Sequence, residues 1–388
     1  MILFVHNRYR TTGGEERVVE QLEWLVREHL REEVARLESD SASLHRLRAG
    51  FDLLRGGREP GTLAAGIATA ARSGQPPILH AHNLLPSFGW RTLAAARAAG
   101  ARVVWHLHQY RLVCANGVTF TRGAQCTRCH GRWTLPGVAL RCRGGVAEAA
   151  AYGLALALWQ RRAAGLADAV IVPSEFARER LRALGAPLDW DRTFVVRPPV
   201  PEAPHGTRKR GAEGGYALIA SRLSQEKGVD VGIAACLQAG VPLVVAGDGP
   251  ERARLEAIAE QGGRGGSAGV RFLGRVDEPR LAELRAAAAI ALVPSRSENF
   301  PTAAAEAMAA GLPVVATRTG GTPELVDPAG LVDPDDPRAM AAAVERLWDD
   351  AAARSTAIAR VRAICAPDVV ARQRATVYRR ARSDPAAP

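Results

Sequence analysis

Lysine is nearly missing from this chain of 388 residues: only Lys209 and Lys227 occur, although Lys and Arg together number 51. Asp and Glu number 40, so the formal charge is +11, an excess that would ordinarily suggest nucleic acid or an anionic surface. The arginines are scattered among acids through helical patterns, and aromatics make up only 5% of the chain. A dedicated nucleic-acid surface is therefore not expected. Long apolar runs are lacking too. The longest, Val146 to Trp159, is broken by Glu148 and is shorter than the roughly 20 residues of a membrane span. No secretory signal is read at the start, where Met1 to Val5 meets His6, Asn7 and Arg8 at once and resembles a buried strand. A soluble, cytoplasmic protein is the expectation, with a peripheral membrane encounter allowed by the basic surface and the Val146 to Trp159 segment. No repeat of 20 to 50 residues is apparent. No G-x-G-x-x-G opens the first βα turn, which disfavours a nicotinamide-dependent dehydrogenase.

What is present suits a large α/β protein. Hydrophobic residues make up 47% of a length that suggests two domains. Short apolar runs alternate with longer Ala/Leu/Arg-rich helical patterns, as in βαβ units around parallel sheets. Strands are expected at Ile2 to Val5, Ile78 to Ala81, Val103 to Leu107 and Ala169 to Val172. A second series is expected at Tyr216 to Ser221, Leu243 to Ala246, Val270 to Phe272, Ile290 to Val293 and Val314 to Ala316. Between the two series the prolines 198, 199, 201 and 204 precede a basic, glycine-containing stretch, so residues 197–215 read as a linker. This divides the chain into an N-terminal domain, 1–196, a C-terminal domain, 216–366, and a terminal helix with its tail, 367–388.

Ligands of open α/β sheets bind beyond the carboxyl ends of the strands, so the loops after these strands carry the candidate chemistry. After Ile290 to Val293 comes Pro-Ser-Arg-Ser-Glu298-Asn299-Phe300-Pro301-Thr302, then a helix bearing Glu306. Pro301 suits the first turn of that helix, and free N–H groups there favour a phosphate. Ionised carboxylates accept paired hydrogen bonds from vicinal hydroxyls, so Glu306 suits a ribose and Glu298 a transferred sugar. The alternative is a helix-start charge and a surface glutamate. Arg222 and Lys227 follow the strand Tyr216 to Ser221 and supply cations for a departing diphosphate. Gly247-Asp248-Gly249 ends another strand in a turn whose glycines would admit close backbone approach to a ligand. Gly13-Gly14 opens a helix near the N-terminus.

Together, Gly13-Gly14, Val172-Pro-Ser-Glu-Phe, Arg222 to Gly228, Gly247 to Pro250 and the glutamates 298 and 306 resemble the retaining glycosyltransferases of family four over nearly the whole chain. The resemblance implies a GT-B architecture, in which two Rossmann-like domains face each other across a cleft and the last helix crosses back to the first. It implies that Arg222 and Lys227 bind the donor diphosphate, that Glu298 and Glu306 bind donor sugar and ribose, and that His108 sits near the transferred sugar, with His106 its competitor. It further implies retention of configuration and chemistry without a metal, moving sugar from a nucleotide donor to a hydroxyl acceptor. The alternatives are an epimerase or hydrolase on the same architecture and a catalytically silent nucleotide-sugar-binding partner.

Four cysteines, Cys114, Cys126, Cys129 and Cys142, are spaced C-x11-C-x2-C-x12-C. In a reducing compartment such grouping points to a closed, structural zinc site, with free or redox-active thiols and disulfides as the alternatives.

Overall fold

The computed structural model describes residues 1–8, 14–61, 63, 66–67, 75–201, 215–262 and 269–383. Contacts divide the chain into two compact units. Unit 1 gathers Met1–Thr121, Cys126–Pro199 and the last helix; unit 2 gathers Arg122–Gln125 and Val200–Ala366. Most of the stretch read as a linker, residues 202–214 with Lys209, lies outside the described residues, as does Gly13.

In unit 1 the elements run β1 Ile2–Arg8, α1 Gly14–Leu30, β2 Val34–Asp40, α2 Arg46–Arg55, β3 Ile78–Ala81, α3 Gly89–Ala98 and β4 Arg102–His106. The cysteine-bearing stretch holds β5 Phe120–Thr121 and α4 Leu135–Ala139, and between them β6 Ala124–Gln125, which falls in the segment assigned to unit 2. Then follow α5 Val146–Gly165, β7 Ala169–Val172, α6 Glu175–Ala183 and β8 Thr193–Val195. The main sheet is parallel, in the order β2-β1-β3-β4-β7-β8. Its strands are buried on both faces, which is why β1, β3 and β7 read as near-continuous apolar runs. The edge strand β2, Val-Ala-Arg-Leu-Glu-Ser-Asp, is mostly half-buried and has no such run, and the sequence pattern did not mark it.

Unit 2 contains β9 Ala217–Ala220, α7 Val229–Ala239, β10 Leu243–Ala246, α8 Arg252–Gly262, β11 Val270–Gly274, α9 Glu278–Ala287 and β12 Ile290–Val293. It continues through α10 Thr302–Ala309, β13 Val314–Thr317, α11 Thr322–Leu325, β14 Leu331–Val332, α12 Pro337–Leu347 and α13 Ala351–Cys365. Its sheet is also parallel, in the order β11-β10-β9-β12-β13-β14. Strand order reverses between β9 and β12, so their carboxyl ends flank a topological switch point, where crevices form in such sheets.

The last helix, α14 Pro367–Ser383, packs in unit 1 against α1, β4 and β7. Val370, Val377 and Tyr378 join the core formed by α1 and one sheet face, and the Tyr378 hydroxyl meets His80 Nδ1 at 2.8 Å. Arg382 forks onto the Glu32 carboxylate at 2.7 and 3.1 Å. Among the described residues no helix is long and apolar enough to cross a membrane.

Candidate functional site

In unit 2, four loops meet at the carboxyl ends of β9, β10, β12 and β13. The loop after β9 carries Arg222 and Lys227, with a short 3₁₀ turn over Gln225–Lys227. Lys227 Nζ donates to Glu298 Oε2 at 2.7 Å, and Ser295 Oγ donates to the same oxygen at 3.1 Å. The cation and carboxylate singled out from different segments are thus brought together across the switch point. Arg222, more than half exposed, stays within its own loop, paired with Glu226 and 3.3 Å from Ser224 Oγ. Burial works against charge on Glu226, but the Ser224 hydroxyl and the Arg222 guanidinium hold its carboxyl below the usual range.

Arg296, which the sequence reading passed over, is the clamp of this site. Its guanidinium forks onto Asp230 at 2.9 and 3.0 Å, reaches the Gln225 carbonyl at 2.9 Å and pairs with Asp335 at 2.6 Å. Its backbone N–H donates to the Glu226 carbonyl at 2.8 Å. The loops after β9 and β12 are therefore stitched by charge and backbone together. In an arginine-biased chain, one more arginine carries no signal of that kind.

Glu306 lies on α10, where its carboxylate pairs with Arg285 of α9, a buried arginine that also bonds Glu278 at 2.8 Å. The sequence reading missed this partner, because residues 21 apart meet only through packing. Pro301 stands as the N-cap of α10, one position before the expected first turn, and makes no side-chain cap. Thr302 begins the helix, leaving first-turn N–H groups without intrahelical partners, and Asn299 lies in the loop before it. Phe300 is buried in the core of unit 2 and is a packing residue in this arrangement.

The glycines after β10 are packed under the backbone that follows β9. A Cβ at Gly247 would lie 1.8 Å from the Ser221 carbonyl oxygen, and one at Gly249 would lie 2.2 Å from that of Leu223. They serve the close approach of two protein backbones, sealed by Leu223 N–H to the Asp248 carbonyl at 3.0 Å. Asp248 accepts from the Gly249 N–H at 2.8 Å. Gly320, not noticed in the sequence, is constrained in the same way: at φ +57° its Cβ would fall 1.5 Å from the Glu298 carbonyl oxygen. Any side chain there would displace the loop that holds Glu298.

In unit 1, Gly14 begins α1 and has open space where a side chain would be. His6, His80, His82 and His106 are buried. His108 follows β4, and its Nε2 meets His82 Nδ1 at 2.8 Å. Burial, reinforced by neighbouring cations, pushes His108 down to about 3 and His6 down to about 4. His80, His82 and His106 are held well below the usual histidine range for the same first reason. These rings are neutral at pH 7, so His108 offers a hydrogen-bonding imidazole and not a cation.

Cys114, Cys129 and Cys142 lie near enough to influence one another, and burial pushes the Cys114 thiol up and that of Cys129 up to about 11. Cys114 donates to Asn116 Oδ1 at 3.0 Å and Cys142 to Thr121 Oγ1 at 3.8 Å. Cys126 is tied by its backbone N–H to the Thr119 carbonyl. Among the described residues the group of three or more ligand atoms lying within 4.8 Å of one another is His80, His82 and His106, not the cysteines.

Two α/β units, each on a six-stranded parallel sheet, with a basic and acidic pair at the switch point of the second, make a two-domain α/β protein with a candidate anion-binding site in its second unit. Two family models match: "Glycosyl transferase 4-like domain" over residues 12–199 and "Glycosyl transferases group 1" over residues 215–350. The chain belongs to the group 1 glycosyltransferases. Among relatives, a "GDP-mannose-dependent alpha-mannosyltransferase" of Mycobacterium tuberculosis is 33% identical over 44% of this chain and 44% of its own. A "GDP-mannose-dependent alpha-(1-6)-phosphatidylinositol dimannoside mannosyltransferase" of the same species is 35% identical over 48% of this chain and 50% of its own. The chain spans about half the length of the curated relatives it matches. In fold it is similar to HepE of Anabaena, solved with UDP-glucose, at 20% identity and TM-score 0.63 over 97% of this chain and 99% of that one. It is likewise similar to sucrose-phosphate synthase from Thermosynechococcus elongatus, at 21% identity and TM-score 0.65, covering 97% and 98%.

Proposed function

We propose that this protein transfers a sugar from a nucleotide diphosphate sugar to a hydroxyl acceptor, with retention of configuration and with side chains in place of a metal at the diphosphate. The observation that carries the reading is the Lys227–Glu298 contact at 2.7 Å across the switch point of unit 2. In this reading Lys227 and Arg222 face the diphosphate, whose negative charge grows as it departs, and the N-terminus of α10 adds its N–H groups. Glu298, oriented by Lys227 and Ser295, receives sugar hydroxyls, and Glu306, steadied by Arg285, receives the ribose. His108 supplies a neutral imidazole on the acceptor side. The departing phosphate takes the acceptor proton on the face it leaves, which is the course a retaining displacement follows.

A nucleotide-sugar panel tests this directly, and it should include UDP-glucose and GDP-mannose, the donors named for the solved structure and the relatives above. The matching donor at 100 times its dissociation constant is expected to stabilise the protein by about 2.7 kcal/mol. A panel in which no nucleotide sugar raises the melting temperature removes the donor reading. Product analysis with and without acceptor then separates transfer from epimerisation or hydrolysis.

We also propose a structural zinc held by Cys114, Cys126, Cys129 and Cys142. Four thiolates suit its tetrahedral preference, and three of these thiols already neighbour one another. Its binding would draw Cys126 toward the others and lower the thiol pKa values that burial raises. Purified protein is expected to carry about one zinc per chain. Elemental analysis that finds none in a folded preparation would reject it.

A further inference from the structure

Unit 1 contains a pocket, partly open to solvent, whose lining is mostly apolar, as is usual for small-molecule sites. Its lining changes character from end to end. One end is polar and includes His82, His108 and Gln109; the other is apolar, built on Trp90, Trp105 and Trp159 with leucines of α2 and α5. The apolar end lies between the two helices, which pack on each other, and the Trp159 indole N–H donates to the Leu54 carbonyl at 2.9 Å.

The outer faces of the same helices are unusual. Nine large hydrophobic side chains are exposed among the described residues, and seven of them fall on α2, the start of α4 and α5, with Trp133 just before α4. Leu47, Phe51 and Leu54 form a stripe at helical spacing on α2, exposed by 79%, 62% and 39%, and Leu154 and Leu158 continue it on α5. The sequence of these two helices holds five arginines against two acids. Of the acids, Asp52 is buried and Glu148 is paired with Arg143. Arg48, Arg55 and Arg161 are exposed, and the Arg162 guanidinium lies 3.9 Å over the Trp90 ring at the pocket. Exposed apolar side chains bordered by exposed positive charge are complementary to an anionic lipid surface.

We infer that the acceptor is a membrane lipid: the α2–α5 stripe rests on an anionic bilayer, and the tryptophan pocket takes up the acceptor's hydrocarbon while its hydroxyl-bearing head lies at His82 and His108. The inference rests on the glycosyltransferase reading above and specifies its acceptor. An amphiphilic ligand matches a lining that combines indoles and leucines with imidazoles and amides.

The test uses the full chain with n-decyl and n-butyl β-D-glucoside below their micellar concentrations, and vesicles of phosphatidylcholine alone or mixed equally with phosphatidylglycerol. The decyl compound is expected to bind at least about tenfold more tightly than the butyl compound, because its extra methylenes leave water. Leu156→Gln and Ala163→Phe, one adding a polar group and one filling the space, should each abolish that preference. Phe51→Ser with Leu158→Ser should keep it yet lose flotation with the mixed vesicles. Equal affinity for the two chain lengths in the parent overturns the pocket's role. A decyl preference without flotation overturns the membrane as the source and leaves a soluble amphiphile. Nucleotide-sugar binding is measured on the same preparations: if it persists while either result fails, the lipid inference falls alone, and if it is absent from the parent, the transferase reading falls instead.

Discussion

Replacing Lys227 with alanine is expected to lower sugar transfer by about two orders of magnitude while the melting temperature changes little, the scale of removing one preorganised charge from a site of growing negative charge. Two features make Lys227 the more sensitive of the two cations. It is held by Glu298 at 2.7 Å, so its ammonium is already positioned at the switch point, whereas Arg222 is more than half exposed and paired inside its own loop. The loss should appear in kcat as well as kcat/KM, because the charge it answers is greatest in the transition state. Lys227→Arg should recover little, since a fork of five donors does not fit the place of a compact ammonium that shares one Glu298 oxygen with the Ser295 hydroxyl. Steady-state kinetics with the donor identified by the binding panel check this, and turnover near that of the parent would remove Lys227 from the diphosphate.

Acidification is expected to weaken unit 1 strongly. His6 and His108 are held at about 4 and about 3 in the folded protein, against an ordinary value near 6.5, chiefly because burial penalises the charged ring. His80, His82 and His106 shift the same way. Between about pH 6.5 and pH 4 the unfolded chain therefore binds more protons than the folded one, so stability rises with pH through that window. It is fully present above about pH 6.5 and is lost as the pH falls, by up to about 1.4 kcal/mol per pH unit for each such histidine. With several histidines contributing, cooling of the unfolding transition of unit 1 by about 10 °C or more between pH 7 and pH 5 is expected. Calorimetry across this range measures it, and His82→Asn should flatten the slope whatever it does to the baseline. A melting temperature independent of pH below 6.5 would mean that these rings are not sealed from water.

The legible parts of the site were those written in one segment. Asn299, Phe300, Pro301 and Thr302 run directly from β12 into α10, and an arginine and a lysine within one turn after β9 can be read without knowing what faces them. The clamp by Arg296, the pairing of Arg285 with Glu306 and the fit of Gly320 under the Glu298 carbonyl could not be read so, because each depends on two chain segments meeting. Gly247 and Gly249 were legible only in part. Their identity signalled a close approach, but only the coordinates reveal that the approaching group is the backbone after β9.

By itself the amino-acid order determined the alternation of buried strands and helices, since parallel strands covered on both faces must be apolar throughout: β3, β7, β10 and β12 have the bounds that their apolar runs mark. Tertiary structure decided what that alternation left open. It admitted the polar edge strand β2, carried α14 onto the core of unit 1, buried four histidines and set Lys227 against Glu298. Periodicity records how each segment meets the core, whereas ion pairs, burial of imidazoles and backbone contacts arise between segments distant in the chain.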